Sequence, residues 1–403
     1  VTYDAARDAE LGIFWHHAPQ PGGTGPLAGV TLAVKDNVDV AGMPTTAGFA
    51  AHVARVAGQD APCVARLRAA GCTILGKVAM HEGALGATTD VPRLCHNPLR
   101  PGFTPGGSSG GSSAAIAAGF ADLAIGTDTM GSVRIPAAYC GVVGLKPTRG
   151  VVSRGGVVPL SLAFDHVGML ARTPRMAARG IEAMAGDDPS DPASRPLPTG
   201  WRAMPDTAPT LHGLRIGLPE PLHAAQVEAP LRAAWDAAAR RLRDLGGLVA
   251  PVAVRGWDPA ATRRAGLLLI EAEAAALHEA LIADPTATTP VFRAALQYGR
   301  DAGTVRLARA LFRLAEAEAG ARRAIDACDV LLLPTAPQRA FPFGTPAPAD
   351  QADFTALANI AGLPALALPW PAPDGGLPCS VQLIGRPYAE AVLVGLAEAL
   401  SAP

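Results

Sequence analysis

The chain has 403 residues, 49% of them hydrophobic, with 34 basic and 35 acidic side chains and a formal net charge of −1. That composition can bury a large core and offers neither a basic stripe for nucleic acid nor a polybasic patch for a membrane, so small-molecule partners are expected. Cys63, Cys72, Cys95, Cys140, Cys328 and Cys379 form no C-x-x-C pair, and the histidines form no H-E-x-x-H, which argues against a disulfide framework, a metal site or another cofactor.

Residues 1–11 are acidic and lack an apolar h-region, and no apolar run reaches membrane-spanning length, so cytoplasmic residence is expected. Residues 30–34 form a β-branched run that predicts a strand delivering Lys35 into the turn Lys35-Asp36-Asn37. Asp60 is expected to cap a helix with Pro62 in its first turn, Val64 and Leu67 on one face and Gly71 past its end, followed by a strand at 73–75. This strand–helix–strand order predicts a largely parallel sheet with helices on its faces. The glycine-dense stretch Thr104-Pro105-Gly106-Gly107-Ser108-Ser109-Gly110-Gly111-Ser112-Ser113 then opens into a short buried helix at 114–118, stopped by Gly119. After a strand at 123–125 comes a second glycine–serine turn, Gly126-Thr127-Asp128-Thr129-Met130-Gly131-Ser132. Six prolines (Pro189, Pro192, Pro196, Pro198, Pro205, Pro209) between 186 and 213 predict a surface excursion or linker that could mark a boundary. Beyond it, apolar residues at helical spacing predict helices at 231–245, 262–282 and 304–327 with solvated charged faces, and further strands are expected at 214–216, 330–333, 365–368 and 381–384.

Two serines, Ser108 and Ser132, thus stand in sharply turning backbone where glycines let several N–H groups converge, an arrangement suited to holding an oxyanion. A serine hydroxyl needs a base that is uncharged at working pH, and the candidates are Lys35, His166 beside Asp165, and His81 beside Glu82. Gly106-Gly107-Ser108-Ser109-Gly110 fits G-x-S-x-G, but Pro105 is a poor end to the central strand that a hydrolase elbow requires. A phosphate-cradling, small-molecule-kinase-like loop is the other alternative; it lacks G-x-x-x-x-G-K-[ST] and leaves the second turn unexplained.

Lys35 in Val34-Lys35-Asp36-Asn37, the 105–111 loop, Gly126-Thr127-Asp128-Thr129-x-Gly131-Ser132-x-Arg134-x-Pro136-Ala137, and Cys140-Gly141-Val142-Val143-Gly144-Leu145-Lys146-Pro147-Thr148 together resemble the amidase signature family. The likeness continues through Asp165-His166-Val167-Gly168, Phe354-Thr355, Ala358-Asn359-Ile360-Ala361-Gly362 and Gln382-Leu383-Ile384-Gly385, and thins between about 185 and 325. The resemblance implies an α/β fold with a mixed, twisted sheet covered on both faces by helices, in a single domain over 1–403. Its core would be 25–185 and 326–400, with a mostly helical substrate-side region at 210–325. It also implies a Ser–Ser–Lys triad: Ser132 as nucleophile, Ser108, joined through a cis peptide, as proton relay, and Lys35 as base. Backbone N–H groups of Thr129, Met130, Gly131 and Ser132 would form the oxyanion hole. Ser109 and Asp128 join the oxyanion and substrate-binding group, with Asp128 and Arg134 also expected to support the loop.

The implied reaction is hydrolysis of a small carboxylic amide, without metal or cofactor, and the alternative within the family is a glutamine-hydrolysing amidotransferase-type subunit. As base, Lys35 needs burial away from counter-ions, so Asp36 is expected to turn away toward backbone donors, with Lys77 and Lys146 structural. Met130 stands where the family often has glycine. Its side chain is expected to enter the pocket region, a departure shared with relatives that act on urea-like substrates. Pocket walls are expected from 78–90, 158–166, 262–312 and 334–342. Only 34 residues precede Lys35, fewer than is common in the family, where this segment can contribute dimer contacts; a homodimer or a small accessory subunit is the expected partner.

Overall fold

The computed structural model describes residues 2–205, 211–223 and 225–402. Among these, eleven strands form one sheet: β1 (Phe14–Gln20), β2 (Thr31–Lys35), β3 (Thr73–Val78), β4 (Leu123–Asp128), β5 (Val143–Lys146), β6 (His166–Ala171), β7 (Arg215–Pro219), β8 (Leu248–Val252), β9 (Val330–Pro334), β10 (Ala365–Trp370) and β11 (Cys379–Gly385). The helices are α1 (Ala5–Leu11), α2 (Pro62–Ala69), α3 (Gly110–Ala117), α4 (Arg134–Cys140), α5 (Pro174–Met184), α6 (Ala229–Asp244), α7 (Pro259–Leu277), α8 (Glu279–Ala283), α9 (Pro290–Arg300), α10 (Thr304–Ala327), α11 (Ala356–Ile360) and α12 (Glu390–Ser401).

The strand order is β1-β3-β2-β4-β6-β5-β10-β11-β9-β7-β8. Parallel pairing is confined to β3-β2-β4 and β9-β7-β8, and every other neighbouring pair is antiparallel. The largely parallel sheet expected from strand–helix–strand order is therefore corrected to a mixed one. Only helical crossovers give parallel neighbours, and β10 and β11 are joined by the short segment 371–378 and must return antiparallel. Strands from both sides of the proline-rich stretch join this one sheet.

Alternation along the strands builds two unlike faces. Leu32, Val34, Leu123, Ile125, Met169 and Leu366 face a large cluster with Val64 and Leu67 of α2, Ile181 of α5 and Leu393 of α12. Their neighbours Ala33, Ala124, Leu170 and Ala367 pack instead with Ala114, Ala115 and Ile116 of α3 and Ala137 of α4. The smaller side chains of that face let α3 and α4 lie close to the sheet. At Gly144 an added Cβ would stand 2.7 Å from the Ala137 methyl and 2.9 Å from the Val133 carbonyl oxygen. A third apolar cluster, built from α7, α9, α10 and α11, includes Met130 of the second glycine–serine turn.

Several local expectations change. Asp60 does not cap α2, whose N-cap is Ala61; its carboxylate instead accepts from Ala41 N at 2.8 Å and pairs with Arg68. Helix α3 begins at Gly110, inside the glycine–serine run, where the Ser113 hydroxyl donates to Gly110 O within the helix and the Ser112 hydroxyl donates across to Ile125 O of β4. The described part of the proline-rich stretch is held against the body: Arg66 donates to three carbonyls at 184–187, Arg154 pairs with Asp191, and Trp201 Nε1 donates to Glu390. Pro209 lies outside the described residues.

Candidate active site

Lys35 ends β2, and its side chain is fully buried. Its Nζ lies 2.8 Å from Ser108 Oγ and 2.7 Å from Thr127 Oγ1, with no carboxylate among the described residues in contact. Burial lowers its pKa to about 7, against weaker opposing pulls from Asp165 and Asp128. Asp36, next in sequence, turns away as expected. Its carboxylate takes the Thr46 N–H and hydroxyl and pairs with Lys77 Nζ at 3.5 Å. Lys77 thus pairs with the carboxylate that follows Lys35 in sequence, and burial lowers its own pKa to about 8.

Ser108 is fully buried and follows a cis Gly107–Ser108 peptide. Ser109 donates its hydroxyl to Thr127 O at 3.1 Å and its N–H to Ser132 O at 3.2 Å, which ties the first glycine–serine turn to the second. Ser132 keeps partial exposure, and among the described residues its hydroxyl has no hydrogen-bond partner, Ser108 included. The structure therefore joins Lys35 to Ser108 directly and places Ser132 beside them through backbone contact.

The 128–134 turn is held by a buried ion pair. Asp128, fully buried, accepts from Gly131 N at 2.7 Å, Val133 N at 3.1 Å, Asn359 Nδ2 at 2.9 Å and both Nε and Nη2 of Arg134. Arg134 also donates to Thr355 O, Gln382 Oε1 and Asn359 Oδ1, and although burial works against ionisation, the guanidinium holds the Asp128 carboxyl below the usual carboxylate range. These contacts explain why residues 355, 359 and 382, distant in sequence, belong with the turn. Asp128 supports the loop, as one of its two expected roles had it; Ser109 is likewise fully buried, and the Gly131 N–H expected in the oxyanion hole is taken by Asp128. Among the described residues, the N–H groups of Thr129, Met130 and Ser132 have no hydrogen-bond partner. Gly131 has φ of 133°, and a side chain there would run into Thr355.

Thr129 Oγ1 donates to Asp165 Oδ1 at 2.6 Å, and Asp165 in turn accepts from Leu160 N and Ser161 N. The 158–166 segment thus braces the turn, a role that adjacency to His166 did not reveal. His166 itself is buried against Phe164 O at 2.6 Å, where burial drives its pKa well down, and among the described residues it makes no hydrogen bond to Ser108 or Ser132. His81 bonds to the 88–90 loop and is likewise pushed down, to about 4, chiefly by burial. The phosphate-loop alternative also loses its donors, because the Gly110 and Gly111 N–H groups bond to Thr89 Oγ1 and Ala79 O.

The chain contains only three lysines, Lys35, Lys77 and Lys146, and all are 0% exposed. Every exposed basic side chain among the described residues is therefore an arginine or a histidine, while all three lysines are buried amines. An amine-acylating reagent at pH 8 is expected to leave all three untouched in the folded chain and to modify all three after denaturation, as read by peptide mass mapping.

The fold and the site, a buried lysine joined to one serine beside a second, partly exposed serine flanked by open backbone donors, are those of an amidohydrolase. The sequence matches the Amidase family model over residues 16–394, and the chain belongs to that family. It is similar to an amidase of Pseudomonas putida, at 39% identity over 96% of this chain and 83% of the relative. It is also similar to a glutamyl-tRNA(Gln) amidotransferase subunit from an Anaeromyxobacter strain, at 37% identity over 93% of this chain and 82% of the relative. The crystal structure of the same-named subunit from Thermotoga maritima superposes with a TM-score of 0.87, at 28% identity, covering 98% of this chain and 89% of that one.

Proposed function

We propose that the chain, working as one domain over 1–403, hydrolyses the C–N bond of a small carboxylic amide through a Ser132 acyl-enzyme. The observation that carries the mechanism is the buried Lys35 Nζ at 2.8 Å from Ser108 Oγ. Ser132 Oγ attacks the amide carbonyl while its proton passes to Ser108 Oγ, whose own proton moves to Lys35 Nζ. The oxyanion is received by the open N–H groups at Met130, Ser132 and Thr129; each such donor is worth about 3–4 kcal/mol elsewhere. Lys35 returns the proton through Ser108 to the departing amine, and water then resolves the ester along the same path. No helix among the described residues is long and apolar enough to cross a membrane, in keeping with a dissolved substrate met in the cytoplasm.

Because Lys35 must be neutral to accept a proton and its pKa is lowered to about 7, kcat/KM should rise through pH 6–8 and level off above. A flat profile from pH 6 to 9 would remove Lys35 from the base role. The second reading, favoured by the similarity to amidotransferase subunits, is a glutamine-hydrolysing chain that needs a partner. Turnover of simple aliphatic and urea-like amides by the purified chain supports the free-standing hydrolase. Turnover of glutamine alone, appearing only once a partner chain is added, supports the other. Native mass of the purified chain separates a homodimer from a complex with a small accessory subunit.

A further inference from the structure

Met130 does not reach into open space as the sequence suggested. Its carbonyl is fixed by Thr355 Oγ1 at 2.6 Å, and its side chain is 6% exposed in a cluster with Phe49, Leu160, Phe164, Ala265, Leu268 and Leu314. The seat for its thioether is Gly266, in the interior of the 19-residue helix α7. A Cβ built on Gly266 would lie 3.1 Å from Met130 Sδ and 3.2 Å from Met130 Cε, with Leu314 Cδ2 next at 3.9 Å. Gly266 is not among the residues of positive φ, so its backbone does not require glycine. Glycine weakens a helix interior relative to alanine, and the closest neighbour its missing side chain accommodates is Met130.

Helix α7 is itself fastened to the site. Glu273 accepts from the Ser161 hydroxyl, and His278 Nε2 bonds to Pro159 O at 2.7 Å; both lie on the segment whose Asp165 holds Thr129. With the helix and the loop backbone both anchored, a larger residue at 266 displaces the flexible Met130 side chain, two positions before Ser132, before it displaces either anchor.

We propose that Gly266 is a specificity-determining residue. By receiving the Met130 thioether it keeps that side chain retracted from Ser132, and the Met130–Gly266 pair sets the depth of the acyl site. This rests on the acyl-enzyme reading above. The pair then acts as one unit of volume, so a change at one position is offset by the opposite change at the other.

The test is a double-mutant cycle of Met130→Ala, Gly266→Leu and the double variant, read as labelling rates at Ser132 with alkyl fluorophosphonates of increasing chain length. Thermal denaturation of each variant runs alongside. Gly266→Leu is expected to lower the long-to-short rate ratio about tenfold or more, the scale of one methylene in an apolar pocket, and Met130→Ala to raise it. The double variant should return the ratio to within about threefold of wild type, a recovery that a general loss of packing would not produce. Gly266→Ala, which asks only a few tenths of an ångström of Met130, supplies a milder variant in the same direction should leucine prevent folding. Unchanged ratios in folded Gly266 variants, or a strictly additive cycle, would overturn the proposal alone. A wild-type chain that takes no label would defeat the acyl-enzyme reading and this proposal with it.

Discussion

Lys35→Met is expected to cut amide turnover by about 10³-fold or more while making the protein more stable. On the proposed mechanism the activity loss follows from removing the amine that lies 2.8 Å from Ser108 Oγ, and residues that act as a unit lose far more than their separate shares. Ser132→Ala should fall further, on the order of 10⁵–10⁶-fold, because the acyl-enzyme can no longer form. The stability gain follows from the depressed pKa. In the folded chain Lys35 gives up its proton near pH 7, whereas an unfolded lysine holds it to about pH 10.4. Between those values the unfolded state binds more protons, so wild-type stability rises with pH across that window, and the buried amine costs most at and below pH 7. Replacing it with an apolar side chain of similar volume removes that cost, by about 1–3 kcal/mol at pH 7, with an advantage that shrinks toward pH 10. Denaturant unfolding of both proteins at pH 7 and pH 9.5 checks the sign. A Lys35→Met variant that is less stable at pH 7 would mean that Lys35 is a structural cation.

The largest loss of stability is expected from Asp128→Asn. Both side chains of the Asp128–Arg134 pair are 0% exposed, and the change leaves the guanidinium charge buried without its counter-ion, at about 3–5 kcal/mol. The same change loosens the turn that presents Ser132, since the Gly131 and Val133 N–H groups rest on that carboxylate. Labelling of Ser132 should therefore weaken together with stability. Because the folded Asp128 pKa is depressed, the pair's contribution is complete above the ordinary carboxylate range and is lost only as pH falls below it. Arg175→Gln, which breaks an exposed pair with Glu398, is the contrast and should cost no more than about 1 kcal/mol. Equal effects of the two substitutions in urea denaturation would contradict the account of the turn.

The candidate residues of the site were legible locally, whereas the choice of Lys35 over His166 and His81 came from the family resemblance. Lys35 ends a β-branched run, and both serines sit in glycine-rich runs that announce sharp turns, although distant residues hold the second turn in place. What escaped was set at a distance. Nothing beside Asp165 in the chain announces Thr129 as its partner, and nothing near Gly266 announces Met130. Ser109 was grouped with substrate binding because it adjoins Ser108, and its burial shows a framework role, whereas the loop-supporting role of Asp128 was expected. Lys77 could have been found from composition, since a chain that uses lysine three times among 34 basic residues marks each one. In the fold, the buried strands with unbroken apolar runs were readable. Strand β1 carries two histidines and a proline, β5 is four residues long with Gly144 inside it, β6 opens on His166 and is interrupted by Gly168, and β8 is an exposed edge containing Pro251. These strands exist because neighbours supply their hydrogen bonds, which local propensity does not encode.

The most direct test of the central claim is peptide mapping of the adduct formed by a small fluorophosphonate on the wild-type chain and on Lys35→Met, from pH 5 to 9. The account predicts one adduct per chain, on Ser132, with a rate that rises half-maximally near pH 7 and is lost in Lys35→Met. An adduct on another residue, or labelling of Ser132 at an unchanged rate in Lys35→Met, would contradict it.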